Sequence, residues 1–129
     1  MNEAALRFVP DRGAYLRSHA VLAAVAMAGA MAVLWLLDSA HPWTGAVAGL
    51  AAIAFRGWFL ASEELAATWS LAGGALTGPG GQRVPLAQIA AVNRLGSFVQ
   101  LVTRGGDKHL IKYQADPAAT IAAIERARA

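Results

Sequence analysis

The sequence predicts two architectures in series: a membrane α-helical hairpin, then a small α+β domain in which a curved antiparallel sheet is capped by a C-terminal helix. Three observations predict it. Residues 20–37 and 39–55 contain no Asp, Glu, Lys or Arg. From residue 67 onward, short apolar runs with β-type alternation are separated by glycine-rich turns. The last segment opens on Asp116-Pro117, a favoured start pair for a helix. The implied divisions are an N-terminal segment at 1–17, a two-helix hairpin at 18–62 and a β-module at 63–129.

The first span is read as Ser18 to Leu37, close to the roughly 20 residues needed to cross about 30 Å of hydrocarbon. A cleavable leader is the rival reading. The run is longer than a usual leader core, starts well inside the chain and is followed almost at once by a second apolar run, all of which argue for a span. The second span is read as Trp43 to Ala61. It contains Arg56, and an arginine at mid-bilayer costs roughly 2.5–3.5 kcal/mol on insertion scales. Its place near the end of the span is expected to let the side chain reach the headgroups, with Trp58 beside it as an interfacial anchor. Trp35 and Trp43 bracket the turn at the other end in the same way. Arg7, Arg12 and Arg17 precede the first span, and the turn from Asp38 to Pro42 has no Lys or Arg. The positive-inside bias therefore predicts both termini in the cytoplasm. Ala26 with Ala30, and Gly45 with Gly49, have the four-residue spacing that lets helix backbones approach closely. These faces are expected to join the two helices, to dock a larger membrane protein, or both.

In the β-module, Trp69 and Leu71 alternate ahead of a Gly-Gly turn, and GPGG at 78–81 makes another. Pro85 interrupts the next strand and assigns it to an edge or a short turn. A strand at Ile89–Val92 follows. Phe98–Thr103 and Lys108–Tyr113 flank a Gly-Gly-Asp turn as a hairpin, with Val99 and Leu101 suited to a core. In the closing helix, Ile121 and Ile124 form the apolar stripe, while Glu125, Arg126 and Arg128 are expected in solvent. Five or six short strands are expected around that helix, a small core for sixty-odd residues.

The order of a Trp-bearing strand, then VPLAQIAAV (84–92), then FVQLVTRGGDKHLIKY (98–113), then ADPAATIAAIE (115–125) resembles the bacterial pleckstrin-homology-like domains found behind paired transmembrane helices. The resemblance covers residues 65–127. It implies a bacterial inner-membrane protein with a binding platform rather than an enzyme. Related anchored domains serve in assembly factors for photosynthetic complexes of purple bacteria, so it also points to an energy-transducing complex as one home. The short first hairpin departs from the family pattern and implies a trimmed sheet. That hairpin has no Lys or Arg between Thr68 and Gln82, which disfavours inositol-lipid binding.

Composition limits the chemistry. The chain of 129 residues has no Cys, which removes disulfides, thiolate metal sites and thiol nucleophiles. Eleven basic against eight acidic residues, a net charge of +3, do not make a polycationic nucleic-acid binder. His19, His41 and His109 lack metal-ligand spacing. Glu63 and Glu64 are neighbours that point apart on a helix and read as a solvated interfacial pair. Neither glycine-rich stretch precedes a helix in the manner of a phosphate loop. No cofactor, metal, catalytic group or small-molecule substrate is expected. Arg94, Arg104, Lys108 and Lys112 are the candidate surface for a partner or for anionic headgroups, the latter at roughly 1 kcal/mol per charge. The expected function is a non-enzymatic accessory or assembly protein bound to the bilayer and to a larger membrane complex. Sensing of anionic lipid headgroups is the alternative.

Overall fold

A computed structural model describes residues 6–128. The chain separates into two compact units, residues 15–62 and the remainder on either side of them.

The first unit is helical. Helix α1 runs Arg12–Leu36 and α2 runs Thr44–Ala66. At 1.5 Å per residue they extend about 37 Å and about 34 Å, enough to cross a bilayer core of about 30 Å. Both are long and apolar enough to be membrane spans by length and composition. Each helix reaches beyond its apolar run for a local reason. Asp11 caps α1, with its Oδ2 accepting from Ala14 N–H at 2.8 Å, so the helix starts six residues before Ser18. The stretch Leu60–Ala66 is rich in strong helix formers, so α2 continues past Ala61 and carries Glu63 and Glu64 on its last turns. Between the helices, Thr44 Oγ1 donates to the His41 carbonyl at 2.7 Å and closes the turn.

The second unit is an α+β arrangement of two antiparallel sheets and a helix. One sheet has the order β1-β2-β3-β4, from Leu6–Phe8, Trp69–Ala72, Ala75–Thr77 and Arg83–Pro85. The other has the order β5-β6-β7, from Ile89–Leu95, Phe98–Thr103 and Lys108–Ile111. A 3₁₀ turn at Leu86–Gln88 joins the sheets. Helix α3, Pro117–Arg128, closes the unit. The core is Trp69, Leu76, Ile89, Val99, Leu101, Ile111 and Ile124, with Phe8 added from β1.

Seven strands are present among the described residues, where the sequence suggested five or six. The additional strand at the front of the first sheet comes from the N-terminal segment. Leu6 pairs with Leu71 and Phe8 with Trp69. The sheet therefore takes its fourth strand from before the helices. Three residues with one buried side chain leave too little periodicity for a sequence reading to detect. Pro85 does lie on an edge strand, since β4 is last in its sheet. The β2–β3 turn places Gly73 and Gly74 at φ of +60° and +74°, a two-residue hairpin open only to residues that tolerate left-handed backbone.

Asp116 caps α3 by accepting from Ala119 N–H at 3.1 Å. Arg128 departs from the solvent expectation. Its guanidinium donates to the Ile89 carbonyl at 2.9 Å and pairs with Glu125 at 2.9 Å, tying the end of α3 to the start of β5. Glu125 and Arg126 are exposed.

Candidate functional site

The four basic candidates do not converge on one surface. Arg94 and Val99 are cross-strand partners, so Arg94 lies by the β5–β6 turn, where its Nε donates to the Gly96 carbonyl at 3.0 Å. Arg104 lies at the opposite end of that sheet and donates from Nε to the Ala87 carbonyl at 3.0 Å. Arg94 is thus partly committed to its own β5–β6 turn, and Arg104 to the 3₁₀ turn that joins the sheets. Lys108 and Lys112 instead fall at alternate positions of β7 and its continuation, on the face that carries Leu110. Lys112 Nζ is 3.6 Å from Glu64 Oε2. Lys108 is exposed and makes no ion pair among the described residues.

Strand β7 is the outermost strand of its sheet. A cleft of about 440 Å³ lies along it, walled by Glu63, Glu64, Trp69, Lys108, His109 and Lys112 among others. His109 stands edge-on to the Trp69 indole, with ring centroids 5.9 Å apart. The cleft is charged unevenly. Lys108 stands at the end where β7 begins, and Glu63 joins the Lys112–Glu64 pair among the lining residues contributed by the end of α2. Sequence reasoning did not single out Glu64, Trp69 or His109 for this role. Glu64 and Lys112 are 48 positions apart, and no local spacing signals such a pair.

In the hairpin, the small residues form a seam. A Cβ on Gly45 would lie 2.7–2.8 Å from the backbone of Ala30 and Met31, and one on Gly49 would lie 2.8 Å from that of Ala26 and Met27. Gly45, Gly49 and Gly57 are the buried residues of α2. The faces bearing Ala26, Ala30, Gly45 and Gly49 are turned toward each other, with both glycines buried and both alanines half-buried.

Gly57 continues the seam against His19. The Tyr15 hydroxyl donates to the Gly57 carbonyl at 2.5 Å, and the Tyr15 and His19 rings lie 4.2 Å apart. Arg56 is the thirteenth of the 23 residues of α2, which continues for ten residues beyond it, past the end of the apolar run. Its Nη1 is 3.4 Å from His19 Nε2, while His19 Nδ1 is 3.1 Å from the Tyr15 carbonyl. The pattern fits one tautomer, with Nδ1–H donating to the carbonyl and Nε2 accepting from the guanidinium. Arg56 thus has a polar neighbour on the facing helix. Trp35, Trp43 and Trp58 are strongly exposed, at 69%, 60% and 76%.

Among the described residues, no three His, Asp or Glu side chains come together as a metal-binding group. No family model matches this chain, and no curated protein or solved structure matches it either.

Proposed function

We propose that this chain is a non-enzymatic accessory or assembly protein of a bacterial inner membrane, anchored by α1 and α2, whose β unit binds a larger membrane protein. One observation carries the membrane part of the reading. The apolar side chains of both helices point outward, including Val21 at 64% exposure, Val25 at 65%, Phe55 at 63% and Trp58 at 76%. In water such a surface would far exceed the apolar patches that soluble monomers expose, whereas in lipid it is the expected state. The pairing of β1 with β2 supports an even number of crossings, since the chain rejoins the sheet from which it left. Arg7, Arg12 and Arg17, ahead of the uncharged stretch of α1, favour the cytoplasm for that shared side.

Four strands in one sheet, three in the next and a C-terminal helix on the core support the resemblance to pleckstrin-homology-like domains. Such folds are platforms, and the surface rather than the fold selects the ligand. The small-residue seam is used within the hairpin, so partner binding is assigned to the β unit and in particular to the cleft along β7. Crosslinking and mass spectrometry in native membranes test this. The expected result is a reproducible set of crosslinks from Lys108 and Lys112 to one integral membrane protein, with co-elution in mild detergent. A lone species of 13.4 kDa at native abundance refutes it.

The two exposed charge-bearing ends of the β5–β7 sheet favour a second reading, contact with anionic headgroups. Salt-sensitive binding of the full chain's β unit to anionic surfaces, with no protein crosslinks, would select that reading.

A further inference from the structure

We infer that the outer edge of β7 takes up an extended segment of a partner protein as an additional antiparallel strand, and that the segment bears a basic, an apolar and an acidic residue at alternate positions in chain order. The inference rests on the reading of the β unit as a partner-binding module and specifies the partner's chemistry at that site.

The backbone comes first. Thr103 N–H donates to the Asp107 carbonyl at 2.9 Å, which makes 103 and 107 a hydrogen-bonded pair across the β6–β7 hairpin. Antiparallel ladders alternate, so Leu101–His109 and Val99–Ile111 are also hydrogen-bonded pairs, while Val102–Lys108 and Gln100–Leu110 are not. The N–H and C=O groups of Lys108 and Leu110 therefore point away from β6, toward the cleft. Among the described residues neither makes another backbone bond. A strand laid beside them would form about four main-chain hydrogen bonds.

The side chains then select the strand. Lys108, Leu110 and Lys112 share the outer face, so a segment in register sets three of its own residues opposite them at two-residue intervals. Opposite Lys108 an acid is favoured. Opposite Leu110, which is 36% exposed, an apolar side chain is favoured. At Lys112 the lysine charge is already met by Glu64 and Glu63 lines the same cleft, so a base is favoured there. Because the added strand runs opposite to β7, the order in the partner is base, apolar, acid. The intervening residues face Trp69 and His109. A second copy of this chain is a poor occupant, since antiparallel pairing of two β7 strands about Leu110 sets Lys108 opposite Lys112 in both halves.

The test uses the full chain in zwitterionic detergent micelles and a capped seven-residue peptide with Lys, Val and Glu at its second, fourth and sixth positions and Thr between them. Anisotropy of the labelled peptide is expected to saturate. Methylating the Val amide nitrogen should weaken binding about tenfold, the equivalent of one interfacial hydrogen bond, and methylating a neighbouring Thr amide should leave it within about twofold. Lys108→Glu should weaken binding about tenfold and restore it for a peptide with Lys at the sixth position. Lys108 is exposed, so the variant is expected to keep its circular dichroism spectrum. Equal effects of the two methylations overturn the inference, as does indifference to Lys108→Glu. Absence of saturation overturns it too, including the case in which the chain instead binds phosphatidylglycerol vesicles in a Lys108-dependent way. If crosslinks to a membrane partner persist while peptide binding is absent, the partner reading stands and strand addition falls. If the peptide binds by these rules but no partner is recovered from membranes, the site stands and the accessory role falls.

Discussion

Replacing Gly49 by alanine measures how close the two long helices approach. The added Cβ would sit 2.8 Å from the carbonyl carbon and oxygen of Ala26 and from Met27 N. Ordinary contact for such an atom lies at 3.4–4 Å, so the helices must part by 0.6–1.2 Å (3.4 or 4 minus 2.8) or the side chain must overlap backbone. Backbone cannot rotate away as a flexible side chain can. A gap of about 0.5–1 Å already forfeits a quarter to a half of the dispersion well along the seam. Gly→Ala also raises helix propensity by about 1 kcal/mol, which must be removed from the comparison. Gly29 supplies the reference, because a Cβ there meets nothing within 4 Å. The difference between Gly49→Ala and Gly29→Ala isolates the steric cost, expected at about 1–3 kcal/mol by analogy with overpacked cores. Equilibrium unfolding of the full chain in mixed micelles with increasing SDS, followed by helical circular dichroism, reads it. Equal stabilities of the two variants would refute the seam.

Four further outcomes follow from the β unit. Phe8→Ala removes a core side chain contributed by β1 and should cost about 3–5 kcal/mol in chemical unfolding monitored by Trp fluorescence, whereas the exposed neighbour Arg7→Ala should be nearly silent. Thr120→Val leaves the Gln114 Oε1, which accepts from the Thr120 hydroxyl at 2.9 Å in a buried site, without that donor, and should cost about 1–3 kcal/mol on the same assay. Asp116→Ala should cost about 1 kcal/mol through loss of the α3 cap, with Asp116→Asn recovering most of it. Gly74→Val forces a β-branched residue to φ of +74° and should cost at least about 1–2 kcal/mol, seen as a lowered midpoint.

Where the sequence was readable, the signal was local. The Asp116-Pro117 start, the Gly73-Gly74 turn and the Val99/Leu101 alternation each act over a few residues, and the structure has them as read. The extents of α1 and α2 were less legible, since hydropathy marks apolar residues while caps and propensities mark helix ends. The site was hardest to read. A list of basic residues gave equal weight to Arg94, Arg104, Lys108 and Lys112, yet the folded chain bonds Arg94 to its own turn and Arg104 to the 3₁₀ turn, while Lys108 and Lys112 flank Leu110. Glu64 and Trp69, which complete the cleft, come from sequence positions 39 or more before Lys108 and carry no pattern linking them to β7. The partnership of Arg56 with His19 was hidden for the same reason, a separation of 37 residues bridged by an antiparallel turn.

The register that sets Leu6 against Leu71 orders events during synthesis. The first strand leaves the ribosome with no mate and must wait for 60 residues between Phe8 and Trp69, both long helices included, before its neighbour exists. Until then Phe8 has no core to enter, and the four-stranded sheet lacks its leading edge. On the membrane reading proposed above, a chain that threaded only one of its two helices would leave these halves on opposite faces of the bilayer, and the pairing of Leu6 with Leu71 could not form.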